Sequence, residues 1–461
     1  QSPDSDNTDK QIIAVSTNNF FYPASRTPGI IAIDATNLPV PESIKTQITR
    51  VDGLPVSPEV SATLSFDGSL LASRVIDNRM VIVTSHLPFA YNQYYNQYWG
   101  DFTHSEQSAE DVIDELVDAD ILPGYTLSRH GLTAGQASPE EADAIDQGLA
   151  QEGAVQEETG LLADPTDCFV LNRDEVHYGA PQILTISTVD LDSFSVTSST
   201  CTTSYAGAFF ISRNSLFLTD FNPGGTLIHK FALTEAGASY RGSGEVAGYV
   251  RGGEYSFHLY EQGDSLFALS SFWEGESFQH RFTVLQEDEA EPGKLVQVAQ
   301  LPNAEQPATI GKPGEDIFGV RFFNDTAYVV TFERIDPLYT IDISDPLRPS
   351  IVGELELPGV SEYLHPISDS LLLGVGHNGQ WPQEIQINLF DVSDKTQPAL
   401  ITQQKLSNYQ GAWSSLFGDH HAFAAFVQKD GQSTRAAFPF AVFQGFEDDV
   451  VFPDEEVALP D

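Results

Sequence analysis

Short apolar runs alternate with polar turns along most of the chain. One unit reads as an apolar run at 317–323, a pivot at Asn324-Asp325 and a second run at 327–332. Another reads 364–367, Ser368-Asp369, then 371–375. Runs of this length, rich in β-branched and aromatic residues and bounded by Asn, Asp, Gly or Ser, predict strands paired as hairpins. Further pivots stand at Asp77-Asn78, Arg213-Asn214-Ser215, Gly263-Asp264 and Gly418-Asp419. From Asn214 onward they fall at 214, 263, 325, 369 and 419, a period of about 50 residues. A tight hairpin turn needs positive φ or a local side-chain hydrogen bond, which Asn, Asp and Gly supply.

A second signature alternates with the first. An apolar strand ends in Asp, followed by a polar turn and Pro, as in Tyr339-Thr340-Ile341-Asp342-Ile343-Ser344-Asp345-Pro346. It recurs as Asn388-Leu389-Phe390-Asp391-Val392-Ser393-Asp394 with Pro398 following, and more weakly from Ile31 and from Ile186. Two hairpins per unit make a four-stranded blade, and stacking blades radially hides the sheet edges. The expected fold is therefore all-β: one β-propeller domain over 1–461, of about seven four-stranded blades, or eight, the first incomplete.

Residues 89–165 break the repeat. An aromatic cluster (Tyr91, Tyr94, Tyr95, Tyr98, Trp99) precedes two helix-start signals. Ser108-Ala109-Glu110-Asp111 is a capping box before Val112, Ile113, Leu116 and Val117, and Ser138-Pro139-Glu140-Glu141 is a second. The segment is expected to be a helical insertion in one blade, too thin in apolar residues for a core of its own. Its aromatic stretch is either a binding platform or the cover of its own helices.

Composition narrows the partners. Hydrophobic residues make up 41% and aromatics 11%, with 30 Phe, 16 Tyr and a single Met, so a large core is available and strands are favoured. Sixty-six acidic residues against 22 basic ones leave a net charge of −44. Such a surface repels phosphates and anionic lipid, which excludes nucleic acid and acidic membranes as general partners. It suits a salt-adapted surface or specific cation sites. No apolar run approaches the length of a membrane span. The start, residues 1–10, reads as a polar leader rather than a signal peptide, and residues 446–461 form an acidic tail.

The chemistry-bearing candidates each have a plain structural reading. Asp342/Asp345 and Asp391/Asp394 have the oxygen ligands calcium takes, which makes calcium a possible cofactor, yet no stretch supplies a complete loop; capping of their own turns competes. His365, Asp419 and His420, with His421 beside them, could converge on a metal or a catalytic water, or could simply bridge neighbouring blades. No HExxH and no GxSxG is present. Arg74, Arg321, Arg334 and Asp336 are expected to form ion pairs on so acidic a chain.

At these motifs the chain resembles a bacterial and archaeal family of secreted β-propellers distantly related to WD-repeat proteins. The matching stretches include 67–84, 311–344, Tyr363-Leu364-His365-Pro366, 371–376, 389–394 and 419–423. The likeness covers most of 28–427, and it implies a propeller fold and an exported location, either extracellular or periplasmic. It supplies no activity. It also implies a further blade before the first one seen here, so an open or irregular closing blade, or termini completed by another chain, is expected. An exported chain meets an oxidising compartment, so the two cysteines, Cys168 and Cys201, which flank the strand pair at 181–194, are expected to form a disulfide. The function expected is a scaffold that binds a protein or an extracellular ligand through its loops and the insertion. A metal-dependent hydrolase acting at the channel mouth is the alternative.

Overall fold

The strands follow from the pattern. In the computed structural model Thr326–Phe332, which contains the apolar run read at 327–332, is buried along almost its whole length. The same holds for Ile183–Asp190 and for the first seven residues of Ser265–Glu274. Burial on both faces is what a continuous run of Val, Ile, Leu and Phe predicts, because the strand lies inside its sheet with apolar layers on either side. The last strands of their sheets, Ser350–Leu357 and Ala399–Lys405, are less buried, the first mostly half-buried and the second mostly exposed.

The structure describes residues 10–17, 45–54, 59–87, 121–130, 155–169, 182–204, 207–250, 257–274, 277–332, 336–357, 359–379, 384–406, 411–427 and 434–442. The chain divides into two compact units. The first holds residues 1–206, 211–223 and 229–242; the second holds 207–210, 224–228 and 243–461.

The first unit contains two five-stranded sheets. One runs in the order Lys10–Thr17, Lys45–Leu54, Glu59–Asp67, Gly124–Arg129, Gln156–Leu161. The expected insertion at 89–165 thus contributes two strands, which extend this sheet beyond Glu59–Asp67. Its capping boxes and Tyr91, Tyr94, Tyr95, Tyr98 and Trp99 lie outside the described residues. The other sheet orders Ser69–Ile76, Arg79–His86, Ile183–Asp190, Ser195–Thr203 and Cys168–Phe169. Its second and third strands are therefore separated in sequence by the whole insertion. Cys168 pairs in register with Cys201, and the two form the expected disulfide with their Cα atoms 4.4 Å apart. Cys201 is fully buried beside Leu122, Ala163 and Ile183.

In the second unit three antiparallel meanders follow one another: 259–301, 316–357 and 360–405. The pivots fall where the sequence puts them. Asn324 takes φ 50° and Gly263 φ 59°, and in the first unit Asp77 takes φ 53°. Gly418-Asp419 departs from expectation. It is not a hairpin turn but the junction of two 3-10 turns, Ser415–Phe417 and His420–Ala422, capped by the Ser414 and Asp419 side chains. Core clusters fill the space between successive sheets: Phe267, Phe282, Ile317, Phe322 and Ile341 in one, Tyr328, Leu338, Leu364 and Phe390 in the next. The first strands Asp316–Phe323 and Val360–Ser368 come close because position 319 is glycine. A Cβ there would stand 2.5 Å from the Ser361 carbonyl oxygen.

At the chain ends, residues 12–15 pair with 48–51. Ala412–Trp413 pairs with Ala441–Val442.

Candidate functional site

Within the second unit, chain direction alternates along each meander. First-to-second and third-to-fourth turns therefore share one end of a sheet, and second-to-third connections occupy the other. The two ends differ in chemistry.

The first end is built from Asp turns. Asp342 Oδ1 accepts from the Ser344 N–H at 3.0 Å, and Asp345 Oδ1 from Leu347 at 3.1 Å. Asp391 and Asp394 repeat the arrangement with Ser393 and Thr396, each at 2.9 Å. Cations of the chain itself complete two of them: Lys395 Nζ lies 2.7 Å from Asp342, and Arg348 2.7 Å from Asp345. Hydrogen bonds from Ser393 and Thr396 hold Asp391 and Asp394 below the usual carboxylate range. Burial opposes ionisation of Asp342, but Lys395 and Ser344 outweigh it and bring it down as well. These carboxylates serve as turn caps.

The second end displays aromatic rings. Trp273 is 60% exposed at the end of its strand, with Phe278 edge-on at 4.6 Å. The neighbouring sheet adds Phe318 against Phe332 at 5.7 Å, and Phe332 meets His377 of the following sheet at 6.4 Å. Tyr249, bridged to Ser271, is 54% exposed. Sequence reasoning passed over Trp273 and Phe278. The signal was present as two large rings flanking Glu274-Gly275-Glu276-Ser277, but hairpin patterning alone does not separate a packed ring from a displayed one.

A third grouping gathers around the first strands. Arg321 lies over the Phe257 ring, 4.4 Å from its centroid. From the next first strand come Tyr363, whose hydroxyl is 3.1 Å from His365 Nδ1, and His365 itself, packed 4.6 Å from Phe423. Burial and then the Arg321 charge push the His365 imidazole below its usual range. The expected ion pairs are not made: among the described residues neither Arg74 nor Arg321 pairs with a carboxylate. Arg74 donates instead to the Ile211 carbonyl. Arg321 is half-buried, and a ring face is what lies within its reach; Arg74 is exposed and reaches a backbone oxygen. Arg334 lies outside the described residues, as does the Asp336 side chain.

The expected trio His365, Asp419 and His420 is regrouped. Among the described residues, Asp419, His420 and His421 bring ligand atoms within 4.8 Å of one another, without His365. His420 packs edge-on against Phe257 at 5.3 Å. Asp419 Oδ1 already accepts from the His421 N–H at 2.9 Å and faces His421 Nδ1 at 3.0 Å. A cation beside His365 would meet the Arg321 guanidinium. The arrangement gives the hydrolase alternative no support.

Repeated four-stranded antiparallel meanders with buried middle strands and less buried last strands define an all-β protein of the propeller class. The chain belongs to the family described as Beta propeller domain, whose model matches residues 7–453. It is 43% identical over 110 residues to an uncharacterized protein of Methanocaldococcus jannaschii, and 42% identical over 109 residues to one of Archaeoglobus fulgidus. Each match covers 24% of this chain and 17% of the relative's length. Among solved structures it is similar to the β-propeller domain of Nup133 from Vanderwaltozyma polyspora. That likeness has 11% identity and a TM-score of 0.32, over 56% of this chain and 75% of that one. Among the described residues, no helix is long and apolar enough to cross a membrane.

Proposed function

We propose that this chain is an exported propeller scaffold that binds a protein or extracellular ligand through one end of its sheets. The observation that carries the reading is the pair of Trp273 and Phe278, stacked edge to face and exposed at a hairpin tip. Rigid aromatic rings held by strands are the residues in which interface energy concentrates. The disulfide supports an oxidising location. In this reading the strands form about seven blades within one domain over 1–461, ending in the acidic tail at 446–461. The segment 89–165 adds Tyr91, Tyr94, Tyr95, Tyr98 and Trp99 to the contact surface.

The test uses the full chain as bait against the native secreted and envelope fractions, beside Trp273→Ser/Phe278→Ser and Tyr94→Ser/Tyr95→Ser/Trp99→Ser variants. Expected is a partner, identified by mass spectrometry, that both variants lose while their melting temperatures stay at the parent value. A partner retained by the Trp273/Phe278 variant overturns the assignment of the surface. Recovery of the chain in the cytoplasmic fraction overturns export.

A further inference from the structure

On a chain with 66 acidic and 22 basic residues, a half-buried arginine should hold a carboxylate. Among the described residues Arg321 forms no ion pair. Its guanidinium is stacked on Phe257, and stacking engages the face of the group while leaving its in-plane N–H fork directed outward. Tyr363 is buried, and burial raises its hydroxyl above the usual phenol range although Arg321 works the other way. The phenol thus keeps its proton, and its hydroxyl stands 3.1 Å from His365 Nδ1, to which it can donate. With that donation the neutral His365 ring carries its own proton on Nε2. Phe423 packs against both rings, 4.6 Å from His365 and 5.0 Å from Tyr363.

We propose that Arg321 and His365 form a binding site for an organic monocarboxylate, its two oxygens taken by the guanidinium fork and the imidazole Nε2–H, its carbon body lying against Phe257 and Phe423. The site offers one full positive charge, which a single carboxylate neutralises. A doubly charged phosphate would leave an unmatched anion beside aromatic walls on a protein of net charge −44, where an unpaired charge is costly. A metal cation is repelled by Arg321. The site goes beyond the scaffold reading and does not use Trp273 or Phe278.

Benzoate is the probe, titrated calorimetrically into the full chain at constant ionic strength, with inorganic phosphate and chloride as parallel arms. Expected is saturable binding of one benzoate per chain, weakened by about tenfold or more in Arg321→Gln through loss of the charge-assisted fork. Arg321→Lys, which keeps the charge without the fork, should also bind more weakly, as should Phe257→Leu. The Trp273→Ser/Phe278→Ser variant should bind as the parent does, so this site and the scaffold surface fail separately. Should Arg321→Gln not fold, imidazole proton resonances decide: benzoate must shift those of His365 in the parent protein. Absence of saturable benzoate binding, equal binding by Arg321→Lys, tighter binding of phosphate, or unmoved His365 resonances would each overturn the proposal.

Discussion

Ser271 and His280 stand opposite one another across the antiparallel strands Ser265–Glu274 and Ser277–Glu287, with Ser271 Oγ 2.9 Å from His280 Nδ1. A serine within reach of an imidazole is the opening geometry of a nucleophile and its base. Here the other nitrogen, Nε2, lies 2.9 Å from the Glu315 backbone carbonyl, to which it donates. That fixes the tautomer, and Nδ1 accepts from the serine hydroxyl. Both side chains are buried, at 5% and 4% exposure. The pair cross-links two strands and a loop rather than attacking a substrate. His280→Leu strands the Glu315 carbonyl and should cost about 3 kcal/mol in urea unfolding, at the upper range for an orphaned buried group. A fluorophosphonate should leave Ser271 unlabelled in the native protein; labelling would make the pair catalytic.

The disulfide ties Cys168, beyond the insertion, to Cys201 near the end of Ser195–Thr203. Replacing both cysteines by serine should lower unfolding free energy by roughly 3–4 kcal/mol on the chain-entropy account. Reductant should reproduce the loss in the parent and change nothing in the variant. An unchanged urea midpoint after reduction would show that the cross-link closes a loop already held by its strands.

Charge predicts a salt response. With a net charge of −44, the folded state repels itself, and screening relieves the repulsion within about 10 Å at 0.1 M salt. Melting temperature should rise with sodium chloride. Calcium should do no more than magnesium at equal ionic strength, because Asp342 and Asp345 are already engaged by Lys395, Arg348 and backbone N–H groups. A saturable shift specific to calcium would return these turns to the list of metal sites.

What the sequence disclosed follows the range of the interactions. Asn324-Asp325 was legible as a pivot because a hairpin turn is decided by its own residues and its flanking strands. Gly418-Asp419 looks the same in sequence. Its conformation is set by Ser414, whose hydroxyl donates at 2.6 Å to the Pro439 carbonyl, and by Asp419 turning onto His421. Arg321 stood out as a cation on an acidic chain, but composition led to a carboxylate partner. The ring beneath it comes from residue 257, ahead of another sheet, and no local pattern connects the two. Trp273 and Phe278 are strand residues that the hairpin pattern did not single out. Their exposure depends on which end of a sheet the hairpin tip reaches.

Acid should destabilise the protein through His229. This residue lies on Gly225–Thr234, 2% exposed, and burial lowers its imidazole from 6.5 to about 4. Above the unfolded value both states are neutral there, so the group contributes no pH dependence. As pH falls from 6.5 towards 4, the unfolded chain takes up a proton that the folded chain refuses. Stability therefore drops through that window, by about 3 kcal/mol at its lower end, one pKa unit being worth about 1.4 kcal/mol. Below it both states are protonated and the loss stops growing. Burial lowers His86 and His365 too, so the parent profile sums several groups, and the His229→Gln variant isolates this one. Unfolding free energies from urea titrations should converge for parent and variant as pH falls from about 7 to about 4.5, the parent losing more. Parallel profiles would mean that His229 opens to solvent before it meets the proton.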